Sequence, residues 1–169
     1  GKKVIMVGLD IRKPRLAELF EIDNHHNGIT NLIVHDHNTW DDIQKQILSS
    51  GVNSKLDLLM AGPVPPNPGE LVTRASLDDI ISQLKEHYDY VILDTAPVGL
   101  VNDSLQLGRL ANLCVYVCRA DYTPKASFGM INGLKAENKL PNMCLVLNAV
   151  DLSKKKHSFY YGGGKYGKD

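Results

Sequence analysis

The chain has 169 residues, of which 43% are hydrophobic and 22% charged, so it is long enough for one globular domain with a core. Basic and acidic side chains number 19 each, and with no net charge to attract it we expect no nucleic-acid partner. No apolar run approaches the roughly 20 residues of a membrane-spanning helix, and the polar start lacks the apolar core of a signal peptide. The chain itself is therefore predicted to be soluble.

Short, nearly continuous apolar runs rich in β-branched residues recur along the chain. Such runs are typical of parallel strands that are covered on both faces. The predicted strands are Val4 to Val7, Leu56 to Met60, Tyr90 to Leu93, Leu113 to Cys118 and Met143 to Leu147. The three cysteines, Cys114, Cys118 and Cys144, lie in or beside the last two runs, and we expect them to be reduced and buried in a cytosolic protein.

Helical patterns separate these runs. The clearest extends from Ser76 to Tyr88, with apolar residues at three-four spacing and a capping-box pair, Ser76 and Asp79, at its start. Two further helices are predicted, from Thr123 and its following proline to about Asn138, and from Asn102 or Asp103 to about Leu110. Strands that alternate with helices predict an α/β fold with a mostly parallel sheet in three layers.

Two of the predicted strands end in an acid. Asp10 follows the first strand and Asp94 ends the third, so in a parallel sheet both carboxylates emerge at the same edge, where ligands of such sheets bind. Two carboxylates beside phosphates are typical of a Mg²⁺ site. The alternative is that each acid caps a helix or forms a turn.

Four segments, taken in this order, resemble the cytoplasmic domain of bacterial tyrosine autokinases that control capsule and exopolysaccharide export. They are DIRKP at 10–14, AGPVPPNPGEL at 61–71, YDYVILDTAPV at 88–98 and LVLNAVD at 145–151. The resemblance implies a three-layer P-loop NTPase fold of the MinD/ParA type and the use of ATP with Mg²⁺. It also implies that Asp94 is the Walker B acid and Asp10 the second acid of the A-prime motif. Thr95 and Asn148, which follow strands, are candidate nucleotide contacts.

The family also has a tyrosine-rich tail, which here is predicted to be residues 153–169, after a kinase portion at 1–152. Its glycines make an ordered backbone costly, so we expect a flexible end. The resemblance implies that Tyr160, Tyr161 and Tyr166 are phosphoacceptors. The alternative is a solubilising end of no function.

Two segments beside the predicted site have open roles. Arg12 could contact phosphate as a catalytic residue through its planar fork, or it could pair with an acid. The proline-rich PVPPNPGEL is predicted to be a rigid connection that leads into a helix from about Pro68, with a ligand for a partner as the alternative.

Two features depart from the family. Gly8 stands where the family has an acid that is a candidate base for the tyrosine hydroxyl; glycine could instead serve a close approach to the strand end. In addition, no G-x-x-x-x-G-K-[ST] phosphate loop occurs. We therefore expect a kinase domain that is incomplete at its N-terminus, lacks the first strand, loop and helix, and is inactive alone.

The predicted function is a protein-tyrosine autokinase domain that regulates polysaccharide polymerisation and export. The resemblance implies self-association into a ring, in which a neighbouring subunit supplies the tyrosine tail. It also implies a membrane-anchored co-polymerase part, fused or separate, at the cytoplasmic side of the bacterial inner membrane. Two alternatives stay open, a non-catalytic assembly module and a ParA- or MinD-like cargo ATPase.

Overall fold

The computed structural model describes residues 1–22, 26–35, 37–99 and 102–151, and in them strands alternate with helices as predicted. The strands are β1 (Val4–Gly8), β2 (Ile47–Ser49), β3 (Leu56–Leu59), β4 (Tyr90–Asp94), β5 (Val115–Arg119) and β6 (Cys144–Asn148). The helices are α1 (Leu16–Leu19), α2 (Ile29–Val34), α3 (Trp40–Gln44), α4 (Pro68–Leu71), α5 (Ala75–His87), α6 (Asp103–Leu107), which continues as a 3-10 turn (Gly108–Leu110), and α7 (Ser127–Ala136).

The chain divides into two compact units, Gly1–Asn112 and the part from Leu113 onward. The first unit contains a four-stranded sheet in the order β2-β3-β1-β4. β1 lies parallel to both β3 and β4, whereas β2 is antiparallel to β3. Apolar runs on β1, β3 and β4 therefore predicted a parallel sheet correctly, because each of these strands carries the pattern that such sheets require.

The main core of the first unit lies on one face of this sheet. Ile5 and Val7 of β1 are fully buried there with residues of α2, α5 and α6. The apolar stripe of α5 faces this core, as its three-four spacing predicted, and its members are at most 7% exposed: Leu77, Ile80, Ile81, Leu84 and Tyr88. A smaller cluster on Leu58 and Met60 packs with Leu16 and Ala17 of α1.

The second unit contains a two-stranded parallel sheet of β5 and β6, together with α7. All five residues of β6 are exposed, and α7 buries Ile131 and Leu134. Cys118 is buried, Cys114 is partly buried and Cys144 is exposed, so the expectation of burial was wrong for Cys144. All three thiols are free. The predicted boundary at residue 152 stays a prediction.

Two predicted helix starts were wrong in detail, and one strand was missed. The hydroxyl of Ser76 does not cap α5 but donates to the carbonyl oxygen of Ile33 at 2.8 Å. Thr123 does not cap α7, which begins four residues later at Ser127; its hydroxyl oxygen accepts from the backbone N–H of Arg119. β2 was missed because it has only three residues, too few for a recognisable pattern. No helix among the described residues combines the length and apolar character of a membrane span.

Candidate functional site

The carboxyl ends of β1 and β4 lie side by side. Gly8 is the register partner of Asp94, and the backbone N–H of Leu9 donates to the carbonyl oxygen of Asp94 at 2.7 Å. Asp10 follows one residue later. The structure therefore brings both predicted acids to one edge of the sheet, as expected for parallel strands; their role as metal ligands stays a prediction.

The two carboxylates are close enough to influence each other. Partial burial raises the pKa of Asp94, and the negative charge of Asp10 raises it further. Asp94 is exposed at the end of its strand, so its loss of hydration is partial. Two acids that repel each other at a sheet edge form an arrangement that a divalent cation would stabilise.

Asp10 is held by its own loop. One of its carboxylate oxygens, Oδ1, accepts from the backbone N–H groups of Arg12 at 3.3 Å and Lys13 at 3.0 Å. This is the turn-forming role that the sequence left open, and it engages one of the two oxygens. Within the described part of the chain, the other oxygen has no hydrogen-bond partner and is available for a cation.

Arg12 pairs with an acid. Its Nε lies 2.6 Å from Oδ2 of Asp103 and its Nη2 lies 3.2 Å from Oδ1, so the guanidinium binds the carboxylate through two bonds. Of the two roles that the sequence left open for Arg12, the structure shows this one. The sequence predicted Asp103 only as one of two possible starts of a helix; α6 begins at Asp103, and Asn102 precedes it without a side-chain cap bond.

Gly8 is buried and tightly enclosed. A Cβ atom placed on it would lie 3.1 Å from the backbone nitrogen of Ala61 and 3.5 Å from Cδ2 of Leu16. This geometry agrees with the alternative in which glycine permits a close approach. An aspartate at this position would require the chain around Ala61 to move by a few tenths of an ångström.

The proline-rich segment leads into a short helix, as predicted. Pro68 is the first residue of α4, where its missing N–H costs nothing.

Upstream, the carbonyl oxygens of Met60 and Ala61 accept from the N–H groups of Ile29 and Thr30. The first two N–H groups of α2 are therefore already hydrogen-bonded, and the start of this helix is not available to bind phosphate.

The other predicted residues are Thr95, Asn148 and the three tail tyrosines. Thr95 directly follows β4 and is partly buried. Asn148 ends β6 in the second unit, where its side-chain oxygen accepts from the N–H of Ala149 at 2.8 Å. Tyr160, Tyr161 and Tyr166 lie outside the described residues.

The donor set fits Mg²⁺ better than a transition metal. In the part of the chain that the structure describes, no three histidine, cysteine or acidic side chains gather as a metal cluster. Two carboxylates with room for water and phosphate are the usual protein share of a Mg²⁺ site. The phosphates themselves would need an amide cradle and a lysine, and the 169 residues contain no P-loop motif to supply them.

Comparison with known proteins identifies the family. No protein-family model matches the sequence. The chain is 32% identical over 165 residues to CapB of Staphylococcus aureus, a tyrosine-protein kinase by its name; the match covers 96% of this chain and 69% of CapB. The chain belongs to the bacterial tyrosine-protein kinases. This family membership confirms the resemblance that the four sequence segments indicated.

Further comparisons agree with this kinase family. The tyrosine-protein kinase YwqD of Bacillus subtilis is 30% identical over 162 residues, which cover 96% of this chain and 66% of YwqD. The kinase domain of the Escherichia coli tyrosine kinase ETK superposes with a TM-score of 0.77 at 27% identity, over 96% of this chain and 60% of that domain. The chain thus spans about two thirds of the length of CapB and of YwqD.

The fold class is confirmed as well. A ParA family ATPase from Chlorobium tepidum superposes with a TM-score of 0.68 at 15% identity, over 89% of this chain and 62% of that one. At this identity the likeness concerns the fold alone. The kinase therefore has the α/β fold of MinD- and ParA-like P-loop NTPases that the sequence predicted.

Proposed function

We propose that the chain is the metal-site portion of a tyrosine autokinase domain that transfers the γ-phosphate of ATP to tyrosines of its own C-terminal segment. The observation that carries this proposal is the pair of acids, Asp10 and Asp94, on neighbouring parallel strand ends of a chain that belongs to the tyrosine-protein kinases. By the resemblance, the kinase regulates the polymerisation and export of a capsule or exopolysaccharide.

Asp10 and Asp94 would hold the Mg²⁺ ion of MgATP. When bound, the ion neutralises charge on the phosphate oxygens, which is the main catalytic need in phosphoryl transfer. The mutual repulsion of the two carboxylates supports this assignment, because a cation between them would remove it. Thr95 and Asn148 are proposed as further nucleotide contacts.

The phosphate cradle is proposed to lie in sequence that the relatives have and these 169 residues lack. This proposal rests on two observations, the missing P-loop motif and the match to only 69% of CapB. The exposed edge residues of β4 agree with it, since Tyr90 is 58% and Ile92 46% exposed on a strand whose sequence suits double coverage. The chain alone is expected to bind ATP poorly.

The chain lacks the acid that, in the family, is the candidate base for removing the proton of the acceptor tyrosine. A well-placed general base contributes about 10²- to 10⁴-fold, and Gly8 cannot act as one. We propose that Asp10 takes over this role at a reduced rate. A non-catalytic assembly module is the second candidate function, and the observation that favours it is the same Gly8.

The proposed partners follow from the family resemblance. A neighbouring subunit would present Tyr160, Tyr161 or Tyr166 to the site in a ring-shaped assembly. A membrane-anchored co-polymerase part, fused or separate, would keep the kinase at the cytoplasmic side of the inner membrane. The match to the Escherichia coli kinase Etk covers only 15% of that longer protein, so some relatives carry the kinase segment within a larger chain.

The test is phosphotyrosine mass spectrometry on the full natural-length protein incubated with MgATP. We expect label on Tyr160, Tyr161 or Tyr166, and its loss in Asp94→Asn. Absence of label from wild type that still binds nucleotide would contradict the autokinase. ATP hydrolysis without label would then indicate a cargo ATPase, and binding without hydrolysis the assembly module.

Gly8→Asp tests the missing base, with Gly8→Ala as its matched control. Both variants place a Cβ 3.1 Å from the nitrogen of Ala61, so they share the steric cost of the Cβ, and only the aspartate adds a carboxylate. We expect Gly8→Asp to label faster than Gly8→Ala, by up to about 10²-fold. Equal rates would show that this position does not limit proton transfer.

A further inference from the structure

We propose that Asp103 is a positioning residue for the metal-site acid Asp10, and that it acts through Arg12. The inference rests on the proposed function, since it takes Asp10 as a ligand of Mg²⁺. Its test below is chosen so that the two proposals fail separately.

The first step is the ion pair itself. Nε and Nη2 of Arg12 bind the two oxygens of Asp103 at 2.6 and 3.2 Å, the paired geometry that the guanidinium fork favours over a single bond. The side chain of Asp103 is only 14% exposed and that of Arg12 is 42% exposed, so the carboxylate is the fixed partner. Bonding to Asp103 raises the pKa of Arg12.

The second step connects Arg12 to Asp10. The backbone N–H groups of Arg12 and Lys13 both donate to Oδ1 of Asp10, so the position of the loop at residues 12 and 13 fixes the rotation of this carboxylate. Asp103 fixes the same loop through the Arg12 side chain. A continuous series of bonds therefore runs from Asp103, on α6, to the carboxylate at the end of β1.

The helix α4 also packs against the Arg12–Asp103 pair. A Cβ atom on Gly69 would lie 3.4 Å from Oδ1 of Asp103 and 3.6 Å from Nη2 of Arg12, so the α4 backbone packs directly against the ion pair. Pro68 precedes Gly69 and fixes the backbone there. The ion pair thus joins three segments that are far apart in sequence: the loop after β1, the proline-rich segment and the start of α6.

Such a role matches the general behaviour of metal sites. Groups that orient a metal ligand without touching the metal typically change affinity or activity by about 10- to 100-fold when they are replaced. In this structure the orienting bonds reach Oδ1 of Asp10 and leave its other oxygen for the cation. Loss of Asp103 should therefore weaken metal binding more than it weakens the fold.

The chain offers a matched control pair. Arg109 binds Asp78 through two bonds as well, from Nε at 3.1 Å and Nη2 at 2.7 Å. Arg109 also donates to the carbonyl oxygens of Gln106 and Val72, and none of its bonds reaches the loop after β1. Asp78→Asn thus disrupts an arginine–aspartate pair of the same kind at a position with no bond to the loop of Asp10.

The experiment compares Asp103→Asn with Asp78→Asn in the full natural-length protein with bound ADP. The first readout is Mn²⁺ affinity, measured by electron paramagnetic resonance, and the second is the melting temperature without metal. We expect Asp103→Asn to weaken Mn²⁺ binding about tenfold and Asp78→Asn to change it by less than about twofold, while both variants lower the melting temperature to a similar extent. Arg12→Lys keeps the charge but loses the fork, and it should resemble Asp103→Asn.

Equal Mn²⁺ affinities in the two asparagine variants would overturn the proposal, and so would Arg12→Lys that binds Mn²⁺ like the wild type. Failure of wild type to bind Mn²⁺ would overturn it too, because Asp10 would then hold no metal. The readout does not depend on phosphate transfer. A tenfold difference in a protein that labels no tyrosine would support the positioning role and reject the autokinase.

Discussion

Two strands with similar sequences have opposite environments in this molecule. Ile5 and Val7 of β1 are fully buried, whereas Val115 and Val117 of β5 are 52% and 58% exposed. β1 has a strand on either side and a helical layer on its main face, but β5 pairs with β6 alone in the described residues. A continuous apolar run therefore indicates a strand that is suited to burial on both faces. Whether the strand is buried depends on the strands and helices that pack against it.

The exposed sheet of the second unit has an energetic consequence. Burial of apolar surface contributes about 25 cal/mol per Å², and isolated two-stranded sheets are marginal in water. β6 exposes all five of its residues, including Leu145 and Leu147. The first unit should therefore provide most of the stability of the chain, and the second should gain stability from any segment that covers it.

The largest expected difference is between core truncations in the two units. Ile81 is 1% exposed, so Ile81→Ala should cost about 2 to 5 kcal/mol, whereas Val117→Ala, on an exposed strand, should cost less than about 0.5 kcal/mol. Urea unfolding followed by far-UV circular dichroism measures both, and fluorescence of Trp40 reports on the first unit. Equal costs for Val117→Ala and Ile81→Ala would contradict the exposure of β5 and show that this strand is covered in solution.

A smaller difference with a change of sign is expected between two glycines. A Cβ on Gly28 would come within 2.7 Å of three backbone atoms around Met60, Ala61 and Gly62, so Gly28→Ala should cost about 1 to 3 kcal/mol. Gly129, inside α7, has open space, and Gly129→Ala should add about 0.5 to 1 kcal/mol by helix propensity. Thermal unfolding measures the change in stability of both variants. A destabilising Gly129→Ala would contradict the open space beside Gly129.

The sequence predicted the elements better than their contacts. Apolar runs located five of the six strands in the described residues, including β5 and β6, which are largely exposed. Helix starts failed at Ser76 and Thr123: the hydroxyl of Ser76 binds the carbonyl oxygen of Ile33, 43 positions away, and that of Thr123 accepts from the amide of Arg119, four positions back. A local pattern cannot distinguish these uses.

The candidate site shows the same limit. Asp10 and Asp94 could be predicted, because parallel strands bring their carboxyl ends to one edge. The pairing of Arg12 with Asp103 could not, because these residues are 91 positions apart and no periodic signal connects them. Gly8 was visible as a departure from the family, but its contact with Ala61 required the structure.

The smallest expected effect is on folding stability, which ionised Asp94 should lower. The pKa of Asp94 is raised by burial and by Asp10, so the folded state holds the Asp94 proton more tightly than the unfolded chain does. Ionisation of Asp94 therefore opposes folding; this cost is absent below the ordinary aspartate pKa of about 4 and develops as pH rises through the raised value. Asp94→Asn removes the cost, and should stabilise the metal-free chain at pH 7 by a few tenths of a kcal/mol, as for other partly exposed like-charge pairs. Melting temperatures between pH 4 and pH 7 test this, with Asp78→Asn as a control of opposite sign because it loses an ion pair. A gain that does not grow with pH would mean that neither burial nor the charge of Asp10 disfavours ionised Asp94, and would weaken the case for a cation between the two acids.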